Sequence, residues 1–378
     1  MKYKIMVIGA KGFPDVAGGI EKHCAELYSR LSLQNELCIE VCAIKRYSTQ
    51  QSDQFSRIKY RYFSTFQRKG VEKIIYALQA VLYASYKRPD IVHFQGLNSV
   101  LFLPIIKLFG IKTVVTIHSR DYLYPKWGKI AKLFLRASER ISFHADALIT
   151  VSELDYNNNK RKTKNLHLIK NGVTQRDCNI KNEQYYLDKY CLSEKSYLFS
   201  VGRFTEEKDL VTMINGYLFS KLKVKLVIAG DGDTEYSSKV KKLAASKNII
   251  LTGYIFGDEL QSLFSNAKIF LLSSTHEVAA PITVLEAMSY NLSILLSDID
   301  VNQILPLENS SYFSAGDYKD FSKSLLWLFN NEHDNYNNVS YLEENHNWDS
   351  IANETHALYK TIIAYRNKFN TPKPLTTF

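Results

Sequence analysis

The sequence predicts an α/β protein made of two doubly wound parallel sheets. Three observations predict it. Short β-rich runs alternate with longer segments of helical periodicity, the pattern of parallel sheets covered by helices on both faces. The alternation pauses around residues 174–195 and then restarts, giving two series. A length of 378 residues accommodates two domains of roughly 100–200 residues each.

In the first series, residues 4–8 read as a strand, followed by a glycine-containing turn and a helix over 19–33. Residues 38–43 are strand-like. Apolar residues recur at helical spacing over 71–86, and Pro89 bars continuation. Strands follow at 91–94 and 113–117, then a helix at 129–143, a strand at 147–151 and another at 166–169. The second series places strands at 197–201, 224–229, 249–252, 269–273 and 293–296. Its helices lie at 210–220, 234–245, 258–265, 281–290 and 319–330, and a last helix at 350–367 follows Trp348. The domains implied are 1–178 and 179–349. Ligands of open α/β sheets bind at the carboxyl ends of strands, so two such domains offer a central cleft.

Composition narrows the function classes. Hydrophobic residues make up 46% and charged residues 23%, which excludes low-complexity and collagen-like chains. Cys24, Cys38, Cys42, Cys178 and Cys191 form no CxxC pair, which argues against a zinc site or disulfide framework and for a reduced, cytoplasmic compartment. The opening MKYKIMVIGAKG has too short an apolar part for a signal peptide. The apolar stretch 99–115 is broken by Pro104, Lys107 and Lys112 and falls short of the ~18 residues a spanning helix needs.

The net charge of +10 is unevenly spread. Residues 1–180 carry 29 Lys+Arg against 14 Asp+Glu, a net of +15, whereas the remainder carries 19 against 24, a net of −5. The basic residues gather at Arg57, Lys59, Arg61, Arg68, Lys69 and Lys73, at Lys126, Lys129, Lys132, Arg136 and Arg140, and at Lys160, Arg161, Lys162 and Lys164. Any one patch reads as a solvated face, but three patches in one half point to an anionic surface, such as a membrane. No zinc finger or RNP sequence supports a nucleic-acid partner.

Four segments carry chemistry. Gly18-Gly19-Ile20-Glu21 opens the first helix, where paired glycines admit a ligand to the backbone and the helix N-terminus favours an anion. It is not GxGxxG, which sets a Rossmann dehydrogenase aside; the alternative is an ordinary turn. Thr116 to Asp121 ends an apolar strand and gathers His118, Arg120 and Asp121, with Lys126-Trp127-Gly128 beyond; a structural histidine is the alternative. Gly202 to Lys208 follows another buried strand and offers Arg203 and Lys208 to a diphosphate through charge-assisted hydrogen bonds; a solvated loop partly neutralised by Glu206 and Glu207 is the alternative. His276 to Met288 runs from a strand end through Ala279 and Ala280, which allow close backbone approach, into a helix with Pro281 in its first turn. Glu286 stands on that helix among apolar residues, where sugar hydroxyls are a natural partner for a carboxylate; a capping or salt-bridging glutamate is the alternative.

These pieces, in this order, resemble the retaining glycosyltransferases of family 4, which have the GT-B fold, over residues 4–365. The stretch 114–139 resembles a bacterial surface-polysaccharide branch of that family. The resemblance implies that Gly18 and Gly19 lie near the donor diphosphate, and that His118 sits against the transferred sugar. It implies that Arg203 and Lys208 bind the diphosphate, that Glu286 holds the ribose, and that Glu277 stands beside the donor sugar. Ala279 and Ala280 would line the donor, and Glu21 and Asp121 would contact acceptor or sugar. The family places seven residues between its two glutamates, whereas Glu277 and Glu286 have eight between them, so Val278 falls at the usual position of the first. The last helix resembles the segment that crosses back to the N-terminal domain.

The expected activity is retaining transfer of a sugar from a nucleoside diphosphate donor to a glycan or lipid-linked acceptor, in O-antigen, capsule or lipopolysaccharide synthesis. No cofactor and no metal is expected: Asp298-Ile299-Asp300 has the letters of a metal motif but follows a late strand and reads as a turn or cap. The protein is expected peripheral on the inner face of the cytoplasmic membrane. The rivals are a GT-B epimerase or phosphorylase, which an assay without acceptor distinguishes, and an inactive subunit that binds a partner enzyme.

Overall fold

The computed structural model describes residues 2–14, 16, 18–48, 55–66, 71–123, 128–174, 180–246, 248–307, 311–331 and 338–370. The chain divides into two compact units: Met1–Asn171 with Trp348–Phe378, and Gly172–Asn347.

Unit 1 runs β1 (Tyr3–Ile8), α1 (Gly19–Leu31), β2 (Leu37–Ile44), β3 (Lys59–Phe63), α2 (Val71–Lys87), β4 (Ile91–Gln95) and α3 (Leu103–Leu108). It continues with β5 (Lys112–Ile117), α4 (Lys129–Ser142), β6 (Ala147–Thr150), α5 (Glu153–Asn159) and β7 (Leu166–Leu168). Its seven strands pair in parallel in the order β3-β2-β1-β4-β5-β6-β7. The central strands are apolar and buried on both faces, as a parallel sheet requires. One face is covered by Cys24, Leu27, Tyr28 and Leu31 of α1 together with apolar residues near the chain's end, and the other by Tyr76, Ala80, Ile106 and Leu135.

Unit 2 runs α6 (Glu183–Lys189), β8 (Tyr197–Val201), α7 (Leu210–Ser220), β9 (Lys225–Ala229), α8 (Glu235–Leu243), β10 (Ile249–Gly253), α9 (Gly257–Ser265) and β11 (Ile269–Leu272). Then come α10 (Ile282–Ser289), β12 (Ser293–Ser297), α11 (Asp300–Gln303), β13 (Tyr312–Phe313), α12 (Tyr318–Asn330) and α13 (Asn338–Asn345). Six parallel strands lie in the order β10-β9-β8-β11-β12-β13. The last helix, α14 (Trp348–Asn370), belongs to unit 1 and packs Ile351, Tyr359 and Ile362 into the same core as α1.

Several elements depart from the sequence expectation. β3 forms where a basic patch was read: KYRYF alternates cations with aromatics, and its charged side suits an exposed sheet edge. The stretch 99–115 folds into the turn Val100–Phe102, α3 and most of β5. Short α5, α6, α11 and α13 and two-residue β13 carry too few residues to show a period. Pro281 is extended (φ −61°, ψ 134°) and caps α10 from outside its first turn. Trp348 opens α14.

The strand orders reverse between β1 and β4 in unit 1 and between β8 and β11 in unit 2. At such a switch point the connections leave toward opposite faces and open a crevice at the carboxyl ends. The residues after β1, β4, β8 and β11 are therefore the ones to inspect.

Candidate functional site

In unit 2 the loop after β8 carries Gly202, Arg203 and, in a short turn Glu206–Lys208, the lysine. Gly230, after β9, has φ +132°, and a Cβ there would run into the carbonyl oxygen of Gly202. The two loops are further joined by Gly202 N–H to Ala229 O (2.9 Å) and Phe204 N–H to Asp231 O (3.0 Å). Asp209 adopts φ +42° to end the turn and caps α7, accepting from Thr212 N–H.

The loop after β11 is fastened to the same place. Buried Ser273 donates its hydroxyl to the carbonyls of Lys208 and Asp209, both at 2.9 Å, and Thr275 N–H donates to Glu207 O at 2.9 Å. This brings Lys208 Nζ against Glu277 Oε1 in an ion pair whose side chains are only 16% and 15% exposed. Arg203, more open, lies 3.9 Å from the buried Glu207 carboxylate. The structure thus joins Arg203, Lys208 and Glu277 at the β8–β11 switch point. The ammonium expected to meet a diphosphate is held by the carboxylate expected beside the sugar.

Glu286 is half-buried on α10, the helix that leaves this edge. Ala279 is buried and Ala280 packs on the unit 2 core. Asp298 accepts from Ala315 N–H at 2.9 Å and Asp300 opens α11, so the two serve turns. Among the described residues no group of His, Cys, Asp and Glu is gathered to hold a metal ion.

In unit 1, Gly18 caps α1 at φ 151° and a Cβ there would strike the Glu21 carboxylate. Glu21 Oε1 accepts from Lys11 N–H at 2.9 Å, so this side chain secures the β1–α1 loop, with Gly19 open beside it. Two residues on, His23 faces His118 edge-on with ring centres 4.6 Å apart. His118 follows β5, and its Nε2 lies 2.7 Å from Gln95 Oε1 at the end of β4. Burial, with His23 and His93 nearby, holds its pKa well below the usual imidazole range, so the ring is neutral. His23 is also neutral, pushed down to about 4 by burial against a smaller opposing hydrogen bond to Asn171 Oδ1.

The cluster read at residues 118–121 does not stay together as a site. Arg120 turns to Glu139 (2.9 Å) and Asp155 (2.5 Å), tying the loop to α4 and α5. The Asp121 side chain lies outside the described ones, as do Arg68, Lys69, Lys126, Trp127 and Cys178. The sequence reading missed His23, His93 and Gln95. The signal for the last two was present: IVHFQ places polar residues at alternate positions of an otherwise apolar, buried strand.

The chain thus holds two doubly wound units, with a cationic loop at the switch point of one and a neutral histidine at the strand ends of the other. Residues 17–175 match the family model Glycosyltransferase Family 4, and residues 189–354 match the model Glycosyl transferases group 1. The architecture is the GT-B fold, and the two matches support a GT-B family 4 glycosyltransferase. The chain is 24% identical over 263 residues to a sulfoquinovosyl transferase of Arabidopsis thaliana, covering 64% of this chain and 50% of that protein. The chain spans half or less of the length of the curated relatives it matches. Among solved structures, sucrose-phosphate synthase from Thermosynechococcus elongatus superposes with a TM-score of 0.80 at 16% identity, over 96% of this chain and 100% of that one. Anabaena Alr3699/HepE in complex with UDP-glucose gives 0.76 at 12% identity, over 95% and 99%.

Proposed function

We propose that the protein transfers a sugar, with retained anomeric configuration, from a nucleoside diphosphate donor to a glycan or lipid-linked acceptor of a bacterial surface polysaccharide. The observation that carries this reading is the cationic loop of Arg203 and Lys208, fastened to Glu277 at the unit 2 switch point. Departure of the diphosphate from an oxocarbenium-like centre builds negative charge, and fixed cations stabilise that charge without reorganising. Arg203 and Lys208 are the groups for this, so no metal is required. Glu286 is the partner for the ribose, and the backbone at Ala279 and Ala280 borders the donor. A solved structural neighbour holds UDP-glucose, which supports a nucleotide sugar. In unit 1, the space beside Gly19 leaves the first turn of α1 open to a ligand, while the Glu21 carboxylate fills the place beside Gly18, and neutral His118 offers a sugar hydroxyl an acceptor without charge.

The acceptor belongs at an anionic membrane surface on the cytoplasmic side. Helix α4 supports this: Ile130 and Leu133 are 86% and 68% exposed, interleaved with exposed Lys129, Arg136 and Arg140. Such a face inserts apolar side chains among lipid headgroups while its cations meet phosphates. Leu108 and Phe109, at the end of neighbouring α3, are exposed too. No helix among the described residues is long and apolar enough to cross a membrane.

The test is calorimetric titration with UDP, GDP, dTDP and CMP without metal, followed by transfer assays with sugars of the base that binds. Binding of one nucleotide and acceptor-dependent transfer are the expected results. Turnover of the nucleotide sugar without acceptor supports the epimerase or phosphorylase alternative. Binding of none removes the donor site and favours an inactive GT-B subunit.

A further inference from the structure

Beneath His118, unit 1 buries a chain of polar side chains. Gln95 Nε2 donates to the Tyr28 hydroxyl at 2.6 Å and lies 3.3 Å from His93 Nε2. His93 Nε2 meets the Thr116 hydroxyl at 2.8 Å, and its Nδ1 meets the hydroxyls of Tyr28 (2.9 Å) and Tyr359 (2.6 Å). Each of these five residues is at most 1% exposed. Polar groups buried this deeply are tolerated only when paired, and apolar side chains would fill the space without that penalty.

What the chain accomplishes follows from hydrogen-bond chemistry. A carboxamide oxygen only accepts, so the Gln95 oxygen facing His118 puts the imidazole proton on Nε2 and leaves the lone pair on Nδ1. With the amide oxygen on His118, the amide NH2 donates to the Tyr28 oxygen at 2.6 Å and lies 3.3 Å from His93 Nε2. In that arrangement His93 carries its lone pair on Nε2, toward the NH2 and the Thr116 hydroxyl, and its proton on Nδ1, toward a tyrosine oxygen. Helix α14 supports the arrangement twice. Tyr359 ends the chain, and Trp348 packs 5.4 Å from His23, the ring that meets His118.

We propose that Gln95 is the positioning residue of His118, holding the neutral ring as a hydrogen-bond acceptor at Nδ1 for a substrate hydroxyl, with Tyr359 of α14 anchoring the chain that orients it. The proposal rests on the reading of His118 as the group that meets the transferred sugar. The titratable groups that act on His118 are His23 from α1 and His93 from β4, and both oppose a proton on it, as burial does. Asn171 and Trp348, around His23, are uncharged.

The experiment is nitrogen NMR of the full chain labelled at histidine, with His118→Gln for assignment, beside kcat and KM for Gln95→Leu, Gln95→Glu and Tyr359→Phe. In the wild type, His118 is expected as the Nε2–H tautomer, with no titration between pH 6 and 8. Gln95→Leu should mix the tautomers and lower kcat by about tenfold or more, with donor KM little changed. Gln95→Glu keeps an acceptor but adds a charge that favours imidazolium. It should therefore bring an acid limb into the pH profile and recover toward high pH. Tyr359→Phe should give a smaller loss in kcat of the same kind. An Nδ1–H tautomer in the wild type, or unaltered ring signals and kcat in Gln95→Leu, overturns the proposal. The ring signals need no substrate, so a wild type that transfers no sugar defeats the proposed function while the tautomer is still decided.

Discussion

Glu277→Gln should tighten binding of the nucleoside diphosphate and slow turnover. In the free protein the Lys208 ammonium already has a partner, the Glu277 carboxylate, and both side chains are largely shielded from water. On the proposed function, a diphosphate competes with that carboxylate for the same cation. Exposed ion pairs contribute about 0–1 kcal/mol, and breaking a fully buried one costs about 3–5 kcal/mol. A pair at 15–16% exposure on the edge of a site falls between, at about 1–2 kcal/mol. Gln keeps the shape and one acceptor but removes the competing charge, so that energy returns to the ligand. Kd should fall about 5–30-fold, and the gain should shrink as salt rises. Calorimetry at low and high salt measures it, and kcat at saturating donor should fall at least about tenfold if Glu277 stands beside the donor sugar as proposed. Weaker diphosphate binding in Glu277→Gln would refute the competition and make Glu277 the group that aims Lys208. The complementary change, Lys208→Ala, leaves Glu277 unpaired near the phosphates. It should lower turnover by about 10²-fold or more, on the order of 2.7–4 kcal/mol; wild-type turnover would take Lys208 out of the site.

Three further outcomes are expected. His23 and His93 are held neutral by burial, at about 4 and about 3, while unfolded histidine takes a proton near 6.5. The unfolded chain therefore binds more protons as pH falls. The stability of unit 1 should be complete above pH ~6.5 and decline below it toward those lower values, by about 1.4 kcal/mol per pH unit for each ring. Urea midpoints at pH 7.5 and 5 measure this, and equal midpoints contradict it. Binding to anionic vesicles should weaken with salt and fall about tenfold for Ile130→Asp with Leu133→Asp, whereas equal binding to neutral vesicles removes the membrane argument. Gly230→Ala should lower the melting temperature of unit 2 by several degrees, since the new Cβ meets the Gly202 carbonyl in a left-handed backbone; an unshifted transition would mean the β8 and β9 loops are not in close contact.

How much was legible depends on the kind of signal. The long strands and helices were readable because a parallel sheet writes continuous apolar runs and its helices write a period, as in β8 (YLFSV) and in α12, which buries Phe321, Leu325 and Leu328. Edge elements were not: β3 is written in cations and tyrosines because its outer side faces water, and it reads as a charge patch. The loop cations Arg203 and Lys208 were legible from their place after a buried strand, but their partners were not. Glu277 lies 69 residues from Lys208, and only the fastening of the β11 loop by Ser273 brings the two together.

The histidine cluster shows the limit most clearly. His118 stood out because it ends an apolar strand, and Arg120 beside it looked like part of the same chemistry. In the folded chain Arg120 is taken by Glu139 and Asp155, while His118 is supported by residues from four other elements: His23 and Tyr28 of α1, His93 and Gln95 of β4, Thr116 of β5 and Tyr359 of α14. Spacing along one loop cannot specify such a group, because its members are joined by sheet order rather than by sequence. β4 lies between β1 and β5, so its inward residues reach α1, α14 and the end of β5 at once. A strand in that position with histidine and glutamine at alternate buried sites must pair them, and its partners are whatever the two neighbouring strands and the covering helices supply. The polar letters in IVHFQ thus require buried partners, and the strand order brings that network to His118.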